Sequence, residues 1–156
     1  MLCPCGSKLP YAECCALLHQ HKQVAQNAEQ LMRSRYSAYA LKNIDYIYHT
    51  YAEATRKQQS IEDLETAAQG GLWVKLTIVK HLESIDVPEV HFKANYIEKN
   101  KLYLLEENSR FDPQENFHYI DGNILNHEMV ATIKRNDNCP CDSGKKFKKC
   151  CQLKAS

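Results

Sequence analysis

Cys3 and Cys5 flank Pro4, eight residues follow, and Cys14 and Cys15 stand side by side. Cys139, Cys141, Cys150 and Cys151 repeat this frame around Pro140 without insertion or deletion, and together these are all the cysteines of a 156-residue chain. Each copy also carries a serine two residues after its second cysteine, Ser7 and Ser143. Four thiolates gathered from about a dozen residues are the donor set of a tetrahedral structural metal site. Such a site is closed, with no position left for a substrate, which argues against catalysis at the metal. Zn²⁺, two per chain, fits this donor set; iron also accepts thiolates, and the spacing does not separate the two metals. Proline within each first pair fixes one φ angle, and Gly6 is placed to take a positive φ. The second pair belongs at the start or end of a short helical turn. A module this short buries little core, so metal binding supplies its folding free energy. The competing reading of the same residues is disulfide staples, or redox-active vicinal thiols at Cys14–Cys15 and Cys150–Cys151. Two identical four-cysteine frames are hard to explain as staples.

The two copies differ in charge. Residues 134–151 hold Lys134, Arg135, Lys145, Lys146, Lys148 and Lys149 against Asp137 and Asp142, whereas residues 1–15 hold Lys8 against Glu13. A zinc tetrathiolate carries two negative charges, which offsets only part of the C-terminal excess. Lys145, Lys146, Lys148 and Lys149, with the aromatic Phe147 among them, therefore read as a docking face for an anionic partner: ribosome or RNA phosphate, or an acidic protein surface. Phosphate contacts of this kind weaken steeply with salt.

The elements that position these modules lie between them. The chain is 44% hydrophobic and 25% charged with a formal net charge of +1, an ordinary globular balance that by itself says nothing about partners. No window approaches the roughly 18 apolar residues of a membrane helix. No basic-then-apolar export signal precedes Cys3, so a cytoplasmic, reducing location is expected. Asn27 with Gln30, Asn43, and Ser60 with Asp63 read as helix starts, and Gly70–Gly71 as a helix stop. Met32, Tyr36 and Tyr39 mark one helix face. Strands follow. In "LWVKLTIVK" Leu72, Val74, Leu76 and Ile78 alternate against Trp73, Lys75 and Thr77, and in "EVHFKANYIE" Val90, Phe92, Ala94 and Tyr96 share a face. "KLYLLEENSRF" is a third strand after a turn at Asn100, and "FHYIDG" a short fourth ended by Asp121–Gly122. Helices first and antiparallel strands after predict an α+β domain with helices on one sheet face.

Arg33, Tyr36, Arg110 and Asp121 are the leading candidates for a polar pocket in this domain, with Arg35, Tyr39, Glu106, His118 and Tyr119 beside them. The arginines are placed to pair with Glu106 or Asp121. An internal Arg–carboxylate pair more often fixes packing than performs chemistry, and tyrosines at helical spacing are usually core. The seven histidines show no metal-ligand spacing, and His19 and His21 read as a solvated linker. With five glycines and no G-x-G-x-x-G or Walker pattern, no nucleotide cofactor is expected.

The frame "CPCDSGKKFKKCC" resembles the SEC-C motif, the small module at the C-terminus of the bacterial preprotein translocase motor. The resemblance implies zinc at Cys139, Cys141, Cys150 and Cys151 and, through the repeat, at Cys3, Cys5, Cys14 and Cys15. It also implies contacts with ribosomes or chaperones. Asp142 stands where that motif usually has glycine, and the N-terminal copy has "GSKLPY" in place of "GSGKKF". The whole chain, with "LMRSRYSAY" early and "ENSRF…FHYIDG" late, is similar to the YchJ family. That likeness implies an NTF2-like cone at 27–125, with SEC-C modules at 1–21 and 134–153. The function this organisation implies is a non-catalytic metal-binding adaptor whose basic C-terminal module docks an anionic partner such as the ribosome or a secretion chaperone. The alternative is a small-molecule binder or a lyase- or isomerase-type enzyme using the pocket of the middle domain.

Overall fold

The computed structural model describes residues 1–83 and 86–154. Each expected helix start is a side-chain cap. Asn27 opens α2 (Ala28–Ala40) by accepting from the Gln30 amide at 2.8 Å. Asn43 opens α3 (Ile44–His49) through the Tyr46 amide, and Ser60 opens α5 (Ile61–Gln69) through the Asp63 amide, each at 3.1 Å. These bonds satisfy amides that have no partner inside the helix. Two short helices complete the set ahead of the sheet, α1 (Cys15–His19) in the N-terminal module and α4 (Glu53–Arg56).

Four antiparallel strands follow in spatial order β1 (Leu72–Leu82), β2 (Glu89–Glu98), β3 (Lys101–Asp112) and β4 (His118–Thr132). Lys99 and Asn100, both at positive φ, make the two-residue turn between β2 and β3. Ala28, Leu31 and Met32 of α2, Ile47 of α3 and Leu64 of α5 pack on Val90, Phe92 and Phe111 of the sheet. This is the α+β layering expected from the order of the elements. Among the described residues no helix is long and apolar enough to cross a membrane.

Two strands depart from the alternation read in the sequence. β4 does not stop at Asp121–Gly122 but continues to Thr132, past the expected boundary at 125. Gly122 is a strand residue opposite Ser109, and a Cβ there would lie 2.6 Å from both the Tyr119 hydroxyl and a Glu107 carboxylate oxygen. The glycine makes room for two side chains and does not turn the chain. In β1 a bulge falls between Trp73 and Lys75, whose partners Tyr96 and Asn95 are adjacent. The extra residue shifts the phase. Trp73 joins Leu76 and Ile78 under the helices, while Leu72 and Val74 turn to the C-terminal module.

Candidate metal centres and the central cavity

In each module the first cysteine amide is held by a backbone bond across the loop: Cys3 N to Leu9 O at 2.8 Å and Cys139 N to Lys145 O at 2.9 Å. Matching bridges join Leu2 to Pro10 and Asn138 to Lys146. A 3₁₀ turn, Tyr11–Glu13 or Phe147–Lys149, then delivers the second cysteine pair, and a short helix, α1 or α6 (Cys151–Lys154), follows. The knuckle needs two left-handed residues. Gly6 and Lys8 supply them in the first copy, Asp142 and Gly144 in the second. Glycine therefore relieves a different one of the two strained positions in each copy, and Asp142 takes its place as a positive-φ residue without disturbing the frame.

The four sulfurs of each set lie within 4.8 Å of one another, and all eight cysteines are free thiols. Tetrahedral thiolates at about 2.3 Å from zinc would be separated by about 3.8 Å. Cys5 and Cys14 Sγ are 3.7 Å apart and Cys141 and Cys150 Sγ 3.5 Å, spacings that fit one ion apiece and are too long for a disulfide bond. The hydroxyls of Ser7 and Ser143 sit 3.3 and 3.2 Å from Cys14 and Cys150 Sγ. Hydrogen bonds from Cys15 and then Ser7 pull the Cys5 thiol down to about 4, and the bond from Ser143 pulls Cys150 down to about 7. Cys15 is pushed up by its bond to Cys5 and by burial, and Cys151 by burial. Each set thus holds a sulfur predisposed to the thiolate form that a metal binds.

The middle domain supplies the outer contacts of the N-terminal set. Ser37 of α2 donates to Cys15 Sγ at 3.3 Å and lies 3.5 Å from Cys3 Sγ, and Arg33 Nη1 donates to the Cys5 carbonyl at 2.7 Å. Arg33 therefore belongs to the N-terminal cysteine module and not to the central cavity. His19 is buried, with Nε2 donating to Ser34 O at 2.8 Å and Nδ1 accepting from the Tyr11 hydroxyl at 2.7 Å, so it is a packing residue and not part of a solvated linker. Its exposed neighbour His21 turns the chain at positive φ.

The C-terminal set rests on the sheet. Phe147, expected on the docking face, is fully buried with Ile97, Ile133, Cys139 and Cys151. The reason is geometric: the residue between Lys146 and Lys148 points inward on a 3₁₀ turn packed against β1 and β2. Lys145, Lys146 and Lys149 are exposed and Lys148 half-buried. Lys75 of β1 pairs with Asp142 at 2.7 Å, and Asp137 Oδ2 accepts from the Lys134 amide at 2.8 Å.

A cavity of about 240 Å³ lies between α2 and the sheet. Of the leading candidates only Tyr36 lines it, and of the residues named beside them Arg35, Tyr39 and Tyr119 do. Arg110 and Asp121 do pair, at 2.7 and 2.6 Å, but as half-exposed cross-strand neighbours away from the cavity. The guanidinium bonds hold the Asp121 carboxyl below the usual carboxylate range. Glu106 pairs with His91 at 2.6 Å, and His118 sits 3.9 Å from Glu115. The carboxylate that does line the cavity is Glu107, which the sequence reading passed over. Its signal was the period of β3: Phe111 and Ser109 are buried, so Glu107 and Leu105 share their face.

The fold and the paired four-cysteine sites define an NTF2-like α+β protein with a cysteine module able to hold a metal ion at each end. Residues 27–122 match the family described as the YchJ middle NTF2-like domain, and residues 2–17 and 135–153 each match the SEC-C motif. A UPF0225 protein of Vibrio cholerae is 40% identical over 156 residues, covering 97% of this chain and 99% of its own. Another, from Photorhabdus laumondii, is 38% identical and covers 96% and 98%. The solution structure of a SEC-C motif containing protein from Rhodopseudomonas palustris superposes with a TM-score of 0.75 at 28% identity, over 81% of this chain and all of that one. A crystal structure of a SEC-C motif containing protein from Psychrobacter arcticus does so with a TM-score of 0.66 at 30% identity, over 98% and 96%. The chain belongs to the YchJ (UPF0225) family.

Proposed function

We propose that this protein is a non-catalytic, zinc-stabilised adaptor of the cytoplasm, whose C-terminal module docks an anionic partner, the ribosome or an acidic face of a secretion chaperone. The observation that carries the reading is the division of labour between Phe147 and its neighbours. The ring is an anchor in the core beside Ile97, which fixes the module on the sheet and holds Lys145, Lys146, Lys148 and Lys149 together at its rim. Both acids of the module are engaged locally, Asp142 by Lys75 and Asp137 by a backbone amide. The lysine charge is thereby left to a partner, even after the two negative charges of a zinc tetrathiolate are counted. The N-terminal module has no such surplus and is tied into α2 through Ser37 and Arg33, which suits a structural role.

Co-sedimentation of the zinc-loaded full chain with ribosomes tests the reading. At low salt the protein should pellet with the ribosome and be released as salt rises. Changing all four lysines to glutamate should abolish pelleting while leaving the metal content at two per chain. Equal pelleting of that variant would sink the ribosome reading, and binding that is insensitive to salt would remove the electrostatic argument altogether.

A further inference from the structure

The cavity beneath α2 has features that neither the metal sites nor the basic rim explain. At about 240 Å³ it is smaller than the roughly 300–1,000 Å³ of drug-sized sites, so its guest is a compact molecule. Its walls are mainly rings: Tyr36, Tyr39, Trp73 and Phe92 line it, and Trp73 meets Tyr36 and Tyr39 edge-on at centroid separations of 6.1 and 6.4 Å. Such walls favour a flat aromatic guest.

Among the described residues one cation faces this apolar space. Arg35, in the middle of α2, is 4% exposed. A buried guanidinium is costly unless its charge is answered. Part of the answer is visible. Nη1 donates to Ile47 O at 2.8 Å and to Thr50 Oγ1 at 2.7 Å, which ties α2 to α3. The guanidinium also lies over the rings of Tyr51 and Tyr119, 4.3 and 4.8 Å from their centroids. Those two rings are themselves fixed, because the segment after α3 bonds to the start of β4 through Ala52 N to Tyr119 O and Tyr119 N to Thr50 O, both at 2.8 Å.

What is missing is a carboxylate. Among the described residues no ion pair reaches Arg35, and Nε and Nη2 have no hydrogen-bond partner, yet neither is sealed away as a buried orphan. The two N–H groups along that edge are parallel donors, the geometry that grips a carboxylate side-on. Arg110 shows the same grip in this protein, with Nε and Nη2 at 2.7 and 2.6 Å from the two oxygens of Asp121. Glu107, the acid in the cavity wall, is instead held by Ser109 Oγ and by the Tyr119 hydroxyl.

We propose that this cavity binds a small aromatic carboxylate, with its ring among Tyr36, Tyr39, Trp73 and Phe92 and its carboxylate held side-on by Nε and Nη2 of Arg35. The site is separate from the docking function above and would stand if that reading failed.

Trp73 is the single tryptophan of the chain, so its fluorescence reports directly on the cavity. The zinc-loaded full chain is titrated with benzoate and phenylacetate, then with the neutral benzamide and the cationic benzylamine. The carboxylates should give a saturable change with a Kd of about 1 mM or tighter, the amide should bind at least about tenfold more weakly, and the amine should give no saturable change. Arg35→Lys keeps the charge but loses the parallel donors, and should weaken benzoate about tenfold or more. Because Arg35 also ties α2 to α3, Glu107→Gln provides a second variant that leaves this tie intact. Removing the negative charge from the cavity wall should tighten benzoate severalfold. Benzamide binding as well as benzoate, benzylamine binding better, no saturable response to either carboxylate, or weaker benzoate binding by Glu107→Gln would each overturn the proposal.

Discussion

Ser37 Oγ donates to Cys15 Sγ at 3.3 Å, from the middle of the same helix whose Tyr36 lines the central cavity. One helix therefore finishes a candidate metal site on one side and walls a cavity on the other. Outer-shell donors of this kind orient thiolates and tune metal affinity.

Ser37→Ala should lower the affinity of the N-terminal site for zinc about tenfold and leave the C-terminal site unchanged. Chelator competition resolves the two as separate phases of metal release. A variant that loses zinc from both sites equally would show that Ser37 acts through the fold and not on the sulfur.

Phe147→Ala removes a fully buried ring from the cluster around Ile97 and Cys151. The expected cost is about 3–5 kcal/mol, concentrated in the docking of residues 137–151. Amide hydrogen exchange should rise there and at Ile97 while α2 and α3 keep their protection. Tyr11 occupies the equivalent place in the N-terminal module but is only half-buried, with its hydroxyl on His19. Tyr11→Phe should therefore cost far less, about 1 kcal/mol for the lost hydrogen bond, as thermal melts of the two variants would show.

Gly122→Ala would drive a methyl group into the Glu107 carboxylate and the Tyr119 hydroxyl. Glu107 can swing aside, so a moderate loss of about 1–3 kcal/mol is expected, together with altered Trp73 fluorescence as the cavity wall shifts. A neutral substitution with an unchanged spectrum would refute the close approach.

Stability should also fall with acid through two histidines. Burial depresses the His19 pKa, partly opposed by its bond to Ser34 O, and burial depresses His118, partly opposed by the Glu115 carboxylate. An unfolded histidine titrates at about 6.5. The neutral form is favoured in the native protein, so its stabilisation is complete above that pH and is lost as pH falls through 6.5 toward the depressed native values. Urea melts at saturating zinc should show a declining midpoint from pH 7 to 5. His19→Gln should flatten part of that decline, and an unaltered slope would exclude His19 as a source.

The two four-cysteine clusters were legible because their chemistry is local. Four cysteines within one short loop and turn can meet only in a few ways, and both copies meet as their spacing requires. Helix caps at Asn27, Asn43 and Ser60 were legible for the same reason, since a cap is a contact over three residues. Phe147 misled because its neighbours are all lysines, and sequence proximity says nothing about which way a turn faces. Arg33 and Arg35 misled by looking alike. They are two residues apart on a helix and so point to different surroundings, one to the Cys5 carbonyl and the other over Tyr51 and Tyr119.

By itself the sequence determined the two thiolate frames, the order of helices and strands, and the charge difference between the two ends. Only the tertiary structure decided that Gly122 is a gap and not a turn, and that a bulge turns Trp73 inward. The physical reason is one of range. Capping, metal knuckles and turns are set by bonds within a few residues, whereas a side chain's face in a sheet depends on register with strands tens of residues away, where one inserted residue reverses it.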